Sequence, residues 1–568
     1  MAVDKMDWQK NILIAAILAV LFMLAVRWNS YQEEHSVVAP TVATTSSSQA
    51  SVSAGDIPPP VATSTSPTSP ETTVAAPSKT IIKVSTDSLL VDIDPYGGDI
   101  VKVALPRHLI DIKKVDTPFI LIDNTPEHKY RVQSGLIGAN GTDTAKGRPT
   151  FSVDKTEFNL DNGQDKLTVD LVLQQEQVKI IKRFTFTRGE YLVGVEYIID
   201  NQSDDKWSGQ LFGRIVRDSK NFAKTNAMMM SNYLGGALTT KEENYKKVTF
   251  DDLKKAPFET TEQGGWVSLV QHYFISAWIP DANSQNNFIL SKLNNEDTYL
   301  FGFTGQGFEV APHSQGTVKA NFYAGPKDTD ALEKISPHLE LTVDYGILWM
   351  IGVPLFWVLK NIQPYLFHNW GLAIIGLTII VKAVFFHLSA TSYRSMAKMK
   401  KLTPKMAEMK ERYGDDRQKM SQEMMKLYKD EKVNPLGGCL PMLIQMPVFL
   451  ALYWVLMESV ELRHAPFYGW IKDLSVMDPY YVLPLIYGVT MWFMQKLNPQ
   501  PTDPMQARVM QMLPLIFTFM FLWFPAGLVL YWVTNNILTI AQQYVITKQI
   551  ENADPISSSK TVKLSKKD

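Results

Sequence analysis

A chain of 568 residues with 56 basic and 57 acidic side chains is long enough for several domains and carries no net field that would point to nucleic acid as a main partner. Its lone cysteine, Cys439, excludes an intramolecular disulfide, and in LGGCLPML, with no histidine beside it, it reads as structural rather than nucleophilic. Apolar runs are confined to the N-terminus and to the stretch beyond Asp344, so the pattern is that of a membrane protein with one large soluble insert.

In chain order, NILIAAILAVLFMLAV at 11–26 follows Lys5 and Lys10 and is followed by Arg27, Trp28 and Asn29, where a cleavable signal would need small residues. Residues 1–29 are therefore expected to form a signal-anchor helix with its N-terminus inside. Residues 30–79, rich in Ser, Thr, Pro and Ala, cannot bury enough apolar surface to offset ordering and read as a disordered linker. From 80 to 340, KLTVDLVL, KRFTFTRGEYLVGVEYII, NNFILSKL, TYLFGFTG and TVKANFYAG alternate or cluster β-branched and aromatic residues. That pattern predicts a β-sandwich, with a hairpin turn at DNGQ, 161–164, and a solvated charged face at Lys241–Glu243.

Within residues 341–363, YGILWMIGVPLFWVLKNI is apolar for only about 15 residues, contains Pro354 and carries Trp349 and Trp357, which predicts an amphipathic helix in the outer interface. The region 364–550 is then expected to hold spans at 369–388, 437–457 and 480–495 and a helical hairpin over 509–547 divided by FPAG at 524–527. The loop 391–433 carries twelve Lys or Arg against seven acids, whereas 457–477 carries only Arg463 and Lys472 as bases. The positive-inside rule puts the first in the cytoplasm and the second outside, for six spans with both termini cytoplasmic. Residues 551–568 form a basic tail, and its end, KTVKLSKKD, fits either a solvated tail or contact with ribosomal RNA or anionic lipid.

One lysine lies inside GLAIIGLTIIVKAVFFHL, where a charge costs about 2.5–3.5 kcal/mol on insertion scales. Counted from Trp370, Lys382 sits about 18 Å down a helix, with Thr378 one turn above and Ser389 two turns below on one face. Two readings fit: Lys382 snorkels to the cytoplasmic interface, or it lines a wet groove together with Gln445, which lies mid-span in the next helix. The spans hold no acid to pair with it, so water is its expected partner, and prolines at 441, 447, 484, 514 and 525 interrupt the remaining spans. Short spans beside a wet cationic groove would thin the bilayer and lower the barrier to moving polar chain partway across. The loop 391–433 reads as two helices broken at YGDD. Its methionines, Met396, Met399, Met406, Met409, Met420, Met424 and Met425, fit either promiscuous contact with apolar segments or packing of the hairpin on itself or the membrane.

No HExxH and no Gly-Lys dipeptide occurs, which removes a zincin site and a Walker A loop; no catalytic residue, metal or cofactor is expected. The segments GGWVSLVQHYFISAWIP, PHLELTVDYG, MAKMKKLTPK, EKVNPLGGCLPMLIQMP, DPYYVLPLIYGVTM and FLWFPAGLVLYW closely resemble the YidC/Oxa/Alb family of membrane protein insertases, in its Gram-negative inner-membrane form. The resemblance implies a membrane α-helical bundle of six transmembrane helices, five of them forming the insertase core, and a large periplasmic all-β supersandwich. It implies a groove open to the cytoplasm and lipid, with Lys382, Thr378, Gln445 and Ser389 as its hydrophilic residues and Thr378, Met442, Met446, Tyr531 and Trp532 as substrate contacts. Nascent membrane proteins, the Sec translocon (SecYEG and SecDF), the ribosome and membrane lipids are the partners it implies, with no specific nucleic acid sequence. Two departures stand out: the groove cation, usually arginine, is Lys382, and the family's paired tyrosines appear as Tyr531 and Trp532. Lysine keeps the charge and loses the planar fork, so a water-holding role survives.

Two other classes are weighed against this. An ion- or proton-coupled transporter using Lys382 predicts acidic partners within the spans. An envelope enzyme predicts a convergent histidine and carboxylate set, and the spacing of His272 and His313 gives none.

Overall fold

The computed structural model describes residues 80–114, 116–221, 232–293, 296–413, 416–431, 440–498 and 504–553. The expected signal-anchor helix, linker and basic tail lie outside these residues. Two compact units divide at Asp344, a β unit before it and a helical unit after it.

The β unit stacks an 11-stranded sheet and an 8-stranded sheet around one apolar core. Val178–Thr187 and Leu192–Asn201 alternate buried and half-buried positions along their whole length, as period-2 patterning requires. They pair antiparallel with Ile181 opposite Ile198, and Lys166–Gln175 extends the ladder with Val172 opposite Ile181. Phe184, Phe186 and Tyr197 from this sheet bury against a core completed by Tyr130, Ile215, Phe301 and Phe303 of the other. Two short helices, α1 (Phe250–Lys255) and α2 (Thr329–Ile335), flank the sheets, and α1 starts with a capping box between Thr249 and Asp252.

One expectation needs correction. DNGQ is a turn, with the Gln164 amide donating to the Asp161 carbonyl at 3.2 Å and Gly163 at φ +92°, but it does not close a hairpin. Glu157–Asn159 before it pairs in parallel with Ile82–Ser85 in the larger sheet, and Lys166–Gln175 after it belongs to the smaller one. The turn carries the chain across the sandwich, which a two-residue sequence signal does not distinguish from a hairpin.

A polar pin crosses the apolar core. The fully buried ammonium of Lys182 donates to the carbonyls of Gly97, Gly98 and Ser134 at 2.9, 2.8 and 3.1 Å. Beside it, Arg148 donates from Nε to Asp143 at 2.6 Å and pairs through Nη1 with Asp99. Lys182 sits on the smaller sheet and its acceptors belong to or adjoin the larger one, so the pin fixes how the sheets face each other.

The helical unit opens with α3 (Trp349–Ile362), which single 3-10 turns at either side extend to Gly346–Tyr365. That stretch of 20 residues is long and apolar enough to cross a membrane, so length alone does not assign it to the interface. Next come α4 (Trp370–Val384), α5 (Phe386–Tyr413), α6 (Arg417–Asp430), α7 (Leu440–Glu458), α8 (Val482–Leu497), α9 (Pro504–Phe521) and α10 (Ala526–Ala553). The expected division at FPAG is present between α9 and α10. The single helix expected over 369–388 is instead broken at Phe385, where α4 and α5 meet at 69°. In the α5–α6 hairpin, Met399, Met406 and Met424 pack around Leu402 and Tyr428, and Met396 packs on Ala390, Tyr393 and Ile546. Met409 and Met420 are half-buried and Met425 is exposed, so most of these methionines serve the packing of the hairpin and its footing on α10.

Desolvation pulls the Lys182 ammonium down to about 7, with Asp99 opposing and Arg148 reinforcing the shift. Between that value and the ordinary lysine value of about 10.4 the unfolded chain binds more protons than the folded unit, so stability rises with pH across the window and is lost as pH falls toward 7. Urea midpoints of residues 80–343 expressed alone should therefore rise from pH 7 to 9, and Lys182→Met should flatten that rise.

Candidate functional site

The site is built on α10, which packs against α4, α5, α7 and α8. Its first orphan amides are capped by the loop between α7 and α8: Ala526 donates to the Val476 carbonyl at 2.7 Å and Gly527 to that of Leu474 at 2.9 Å. The same loop holds the start of α4, since the Asn369 side chain accepts from the Leu372 amide at 3.0 Å and donates to the Phe467 carbonyl at 3.2 Å. Asp478 fixes the loop itself, accepting from Trp470 Nε1 and from the amides of Tyr480 and Leu483 at 2.8–3.0 Å. This end of the bundle is a tied-down seal.

From the seal, α4 turns Gly371, Ile374, Thr378 and Val381 inward at helical spacing, and Ile374 lies against Gly527 of α10. Lys382 continues this stripe. Its ammonium donates to Thr539 Oγ1 at 2.8 Å, and that hydroxyl donates in turn to the Asn535 carbonyl at 2.7 Å. Thr539 lies about 20 Å along α10 from Ala526 and Lys382 about 18 Å along α4 from Trp370. The ammonium thus stays at the depth of its own backbone and does not snorkel along its helix. The partner expected to be water is a hydroxyl of the last helix.

About two turns before Thr539, Tyr531 is buried and accepts from Gln445 Nε2 of α7 at 2.7 Å. On the flank facing α8, Asn536 donates to Thr490 Oγ1 at 3.2 Å and Gln543 to Asn498 Oδ1 at 3.0 Å. Gln542 donates to the Phe386 carbonyl at 3.3 Å, just past the break between α4 and α5. The polar groups of α10 therefore tie it to each neighbour in turn. Two groups on α10 are exceptions, because Asn535 Oδ1 and Trp532 Nε1 are buried with no partner, an arrangement that costs about 1–3 kcal/mol for each.

The outward faces are the reverse. Ile379, Ile380 and Val384 of α4, Leu485, Val489 and Phe493 of α8, Leu515, Ile516 and Phe519 of α9 and Ile537 of α10 are all at least 40% exposed. A bundle that is polar within and apolar without is matched to lipid rather than to water.

Among the expected site residues, Gln445 and Tyr531 are joined directly. Lys382 meets Thr539 rather than Thr378 or Gln445. Thr378 is 1% exposed with its hydroxyl on the Ile374 carbonyl at 2.6 Å, so it faces the α4–α10 seam and not an open surface. Ser389 lies beyond the 69° break, which removes it from the straight face it was expected to share with Lys382. Trp532 packs into an aromatic cluster with Phe449, Tyr487 and Phe521 at ring distances of 4.5, 6.1 and 6.0 Å. Met446 is 37% exposed on α7, and the side chain of Met442 lies outside the described residues. His313 pairs with Asp204 at an exposed position and His272 stacks on Tyr273, with no carboxylate set converging on either among the described residues.

The family model described as 60Kd inner membrane protein matches residues 358–553, and the one described as YidC periplasmic domain matches residues 81–358. A membrane protein insertase YidC of Cellvibrio japonicus is 64% identical over 552 residues, covering 97% of this chain and 100% of the relative. Its counterpart in Saccharophagus degradans is 54% identical over 567 residues, covering 96% of this chain and 100% of the relative. The chain belongs to the YidC family of membrane protein insertases. A crystal structure of an active YidC insertase with its first transmembrane domain resolved overlaps with a TM-score of 0.37 and 19% identity, covering 83% of this chain and 93% of that one. The two family models meet at residue 358, inside α3, whereas the compact units divide earlier, at Asp344.

Sequence reasoning missed Asn535, Asn536, Thr539 and Gln543, the residues that make α10 the hub. Their signal was present in VTNNILTIAQQ, where polar side chains recur at three- and four-residue spacing inside an apolar run. A double-mutant cycle on Lys382→Met and Thr539→Val, read by denaturation of the detergent-solubilised full chain, should give a coupling of about 1 kcal/mol. Additive losses would mean that the two side chains do not act together.

Proposed function

We propose that this inner-membrane chain, with its periplasmic domain, moves transmembrane segments of nascent proteins from the cytoplasm into the bilayer through a hydrophilic groove, alone or beside the Sec translocon. The proposed topology has six spans and cytoplasmic termini, with α3 in the outer interface, because the charge asymmetry between 391–433 and 457–477 requires those loops on opposite sides. The ribosome, the Sec translocon and membrane lipids are its proposed partners, and the basic α5–α6 hairpin is the part placed to meet them.

The observation that carries this reading is the seal at one end of a polar-lined, lipid-matched bundle. Capped helix ends and the loop tied by Asp478 close the outer side, while the charged residue and the carboxamides lie further in. A client's polar flank is offered a cation and hydrogen-bond partners partway across, and its apolar segment meets lipid on the exposed faces. Helices α8 and α9 are short as well. Sixteen residues of α8 span about 24 Å, less than a hydrocarbon core of about 30 Å, and this favours local thinning. Burial of the client's apolar segment then supplies the driving force, without nucleotide hydrolysis.

The route follows from exposure. Because α4 and α10 are packed together through Ile374, Gly527, Lys382 and Thr539, the proposed path runs beside Met446 and Trp532, on α7 and α10, and not through the seam that holds Thr378. The transporter reading has no support here: the lysine's partner is a hydroxyl, and the relatives are named insertases.

In proteoliposomes, Lys382→Arg should keep insertion of a single-span client with an acidic N-terminal tail, while Lys382→Glu should lower it by at least about ten-fold, since an attractive groove becomes repulsive. Equal insertion by the two variants would contradict a groove role for the charge.

A further inference from the structure

A cavity of about 180 Å³ opens where α5 crosses the end of α10, lined by Ala397, Lys400 and Lys401 of α5 and by Thr547 and Ile550 of α10. Helical spacing explains it. Ala397, Lys400 and Lys401 share one face of α5 and Thr547 and Ile550 one face of α10, and the methyl group of Ala397 is too small to fill the space where the faces meet. Lys401 is committed to the fold, because its ammonium donates at 3.3 Å to the Ile550 carbonyl, which lies in the last turn of α10 where intrahelical donors run out. Lys400 lines the same cavity from an exposed position.

Depth and charge say what this cavity meets. With Ala526 at the outer edge of the hydrocarbon, Thr547 and Ile550 lie about 32 and 36 Å along α10, just past a core of about 30 Å. Under the proposed topology, on which the inference rests, that is the level of the inner-leaflet headgroups. On the way there α10 turns Ile537, Ala541, Tyr544 and Lys548 outward along one exposed face, and the Lys548 ammonium lies 5.9 Å from the Tyr544 ring centre. A lipid-facing strip thus ends in an aromatic ring and a cation next to the cavity. The charge there is one-sided. Arg394, Lys398, Lys400, Lys401 and Lys405 precede the first acid of α5, Glu408, and α10 has no acid before Glu551. Of these cations, Lys405 pairs across the hairpin with Glu431 at 2.6 Å.

We propose that the cavity seats the phosphodiester group of an anionic phospholipid of the inner leaflet, of the phosphatidylglycerol class. The phosphate oxygens accept from the Lys400 ammonium and the Thr547 hydroxyl, Lys401 adds its charge from the helix end, and an acyl chain runs along the strip past Tyr544 and Ile537. The apolar strip leading to the cavity at this depth favours a lipid over a soluble polyanion such as RNA. A zwitterionic lipid brings its own ammonium toward the same cations and is held less well. The bound lipid bridges α5 to α10 at the foot of the hairpin.

The test is native mass spectrometry of the full-length chain in detergent, titrated with phosphatidylglycerol or phosphatidylcholine. The unmodified chain should bind phosphatidylglycerol more tightly, and Lys400→Gln should weaken that binding about five-fold, the effect of one lysine near an anionic headgroup. Ala397→Leu, which fills the cavity and changes no charge, should weaken it comparably, whereas Lys398→Gln, off the lining face, should cost less than Lys400→Gln. Equal binding of the two lipids would overturn the proposal. So would equal losses in the two lysine variants with none in Ala397→Leu, because the attraction would then be diffuse. Ala397 is buried, so a lowered unfolding midpoint would mark that variant as a packing fault, and the comparison of the two lysines then decides alone. Displacement of the lipid by inorganic phosphate would assign the cavity to a soluble anion, and loss of short-RNA binding in Lys400→Gln with phosphatidylglycerol binding intact would assign it to RNA; either result overturns the lipid seat. No client takes part in the measurement, so a failed seat leaves the insertase reading standing. A chain that binds the lipid as expected and inserts no client supports the seat and contradicts only that reading.

Discussion

Inside a bilayer a polar group must find its partner within the protein, and this requirement organises the helical unit around α10. The helix carries Tyr531, Thr534, Asn535, Asn536, Thr539, Gln542 and Gln543 through an otherwise apolar run, so each neighbour must supply a complementary group. Gln445 on α7, Thr490 on α8, Asn498 beyond it and Lys382 on α4 do so. Removing any one would strand a polar group in a low-dielectric interior. The arrangement also fixes register, because a hydrogen bond at a given depth does not tolerate the sliding that apolar faces allow.

The break at Phe385 follows from the same constraint. A straight continuation of α4 would keep Ser389 on the face of Lys382, whereas the 69° turn swings α5 away and lets its start meet Gln542 through the Phe386 carbonyl. The bundle is held firmly at its sealed end, where loop carbonyls cap α10 and Asn369 caps α4, and by side chains alone further in. That gradient suits the proposed groove, whose proposed opening toward the cytoplasm would have to accept varied segments.

Much of this was legible in the sequence, for physical reasons. Period-2 alternation in VKIIKRFTFT and LVGVEYIIDN marked strands correctly, and FPAG divided the last apolar stretch as proline and glycine should. Lys382 and Gln445 stood out because a polar residue in an apolar run is costly. What stayed hidden depended on partners distant in sequence. Nothing local says that the turn at 161–164 crosses between sheets, that Thr539 rather than water meets Lys382, or that Thr378 turns into a seam. The kink at Phe385 has no proline or glycine to announce it. The stripe in VTNNILTIAQQ was readable by spacing, but a search for charges and single outliers passes over a run of uncharged amides.

The central claim is that the polar interior is closed toward the outside and reachable from the cytoplasm, and sided accessibility tests it most directly. With Cys439 replaced by alanine to remove the only native thiol, single cysteines at Ser389 and Asn535 would be exposed to a membrane-impermeant maleimide in inverted and in right-side-out inner-membrane vesicles. Labelling of both positions in inverted vesicles, and of neither in right-side-out vesicles, is the result expected of a groove sealed by the 459–481 loop. Labelling from the outer face, or no labelling from either side, would contradict it.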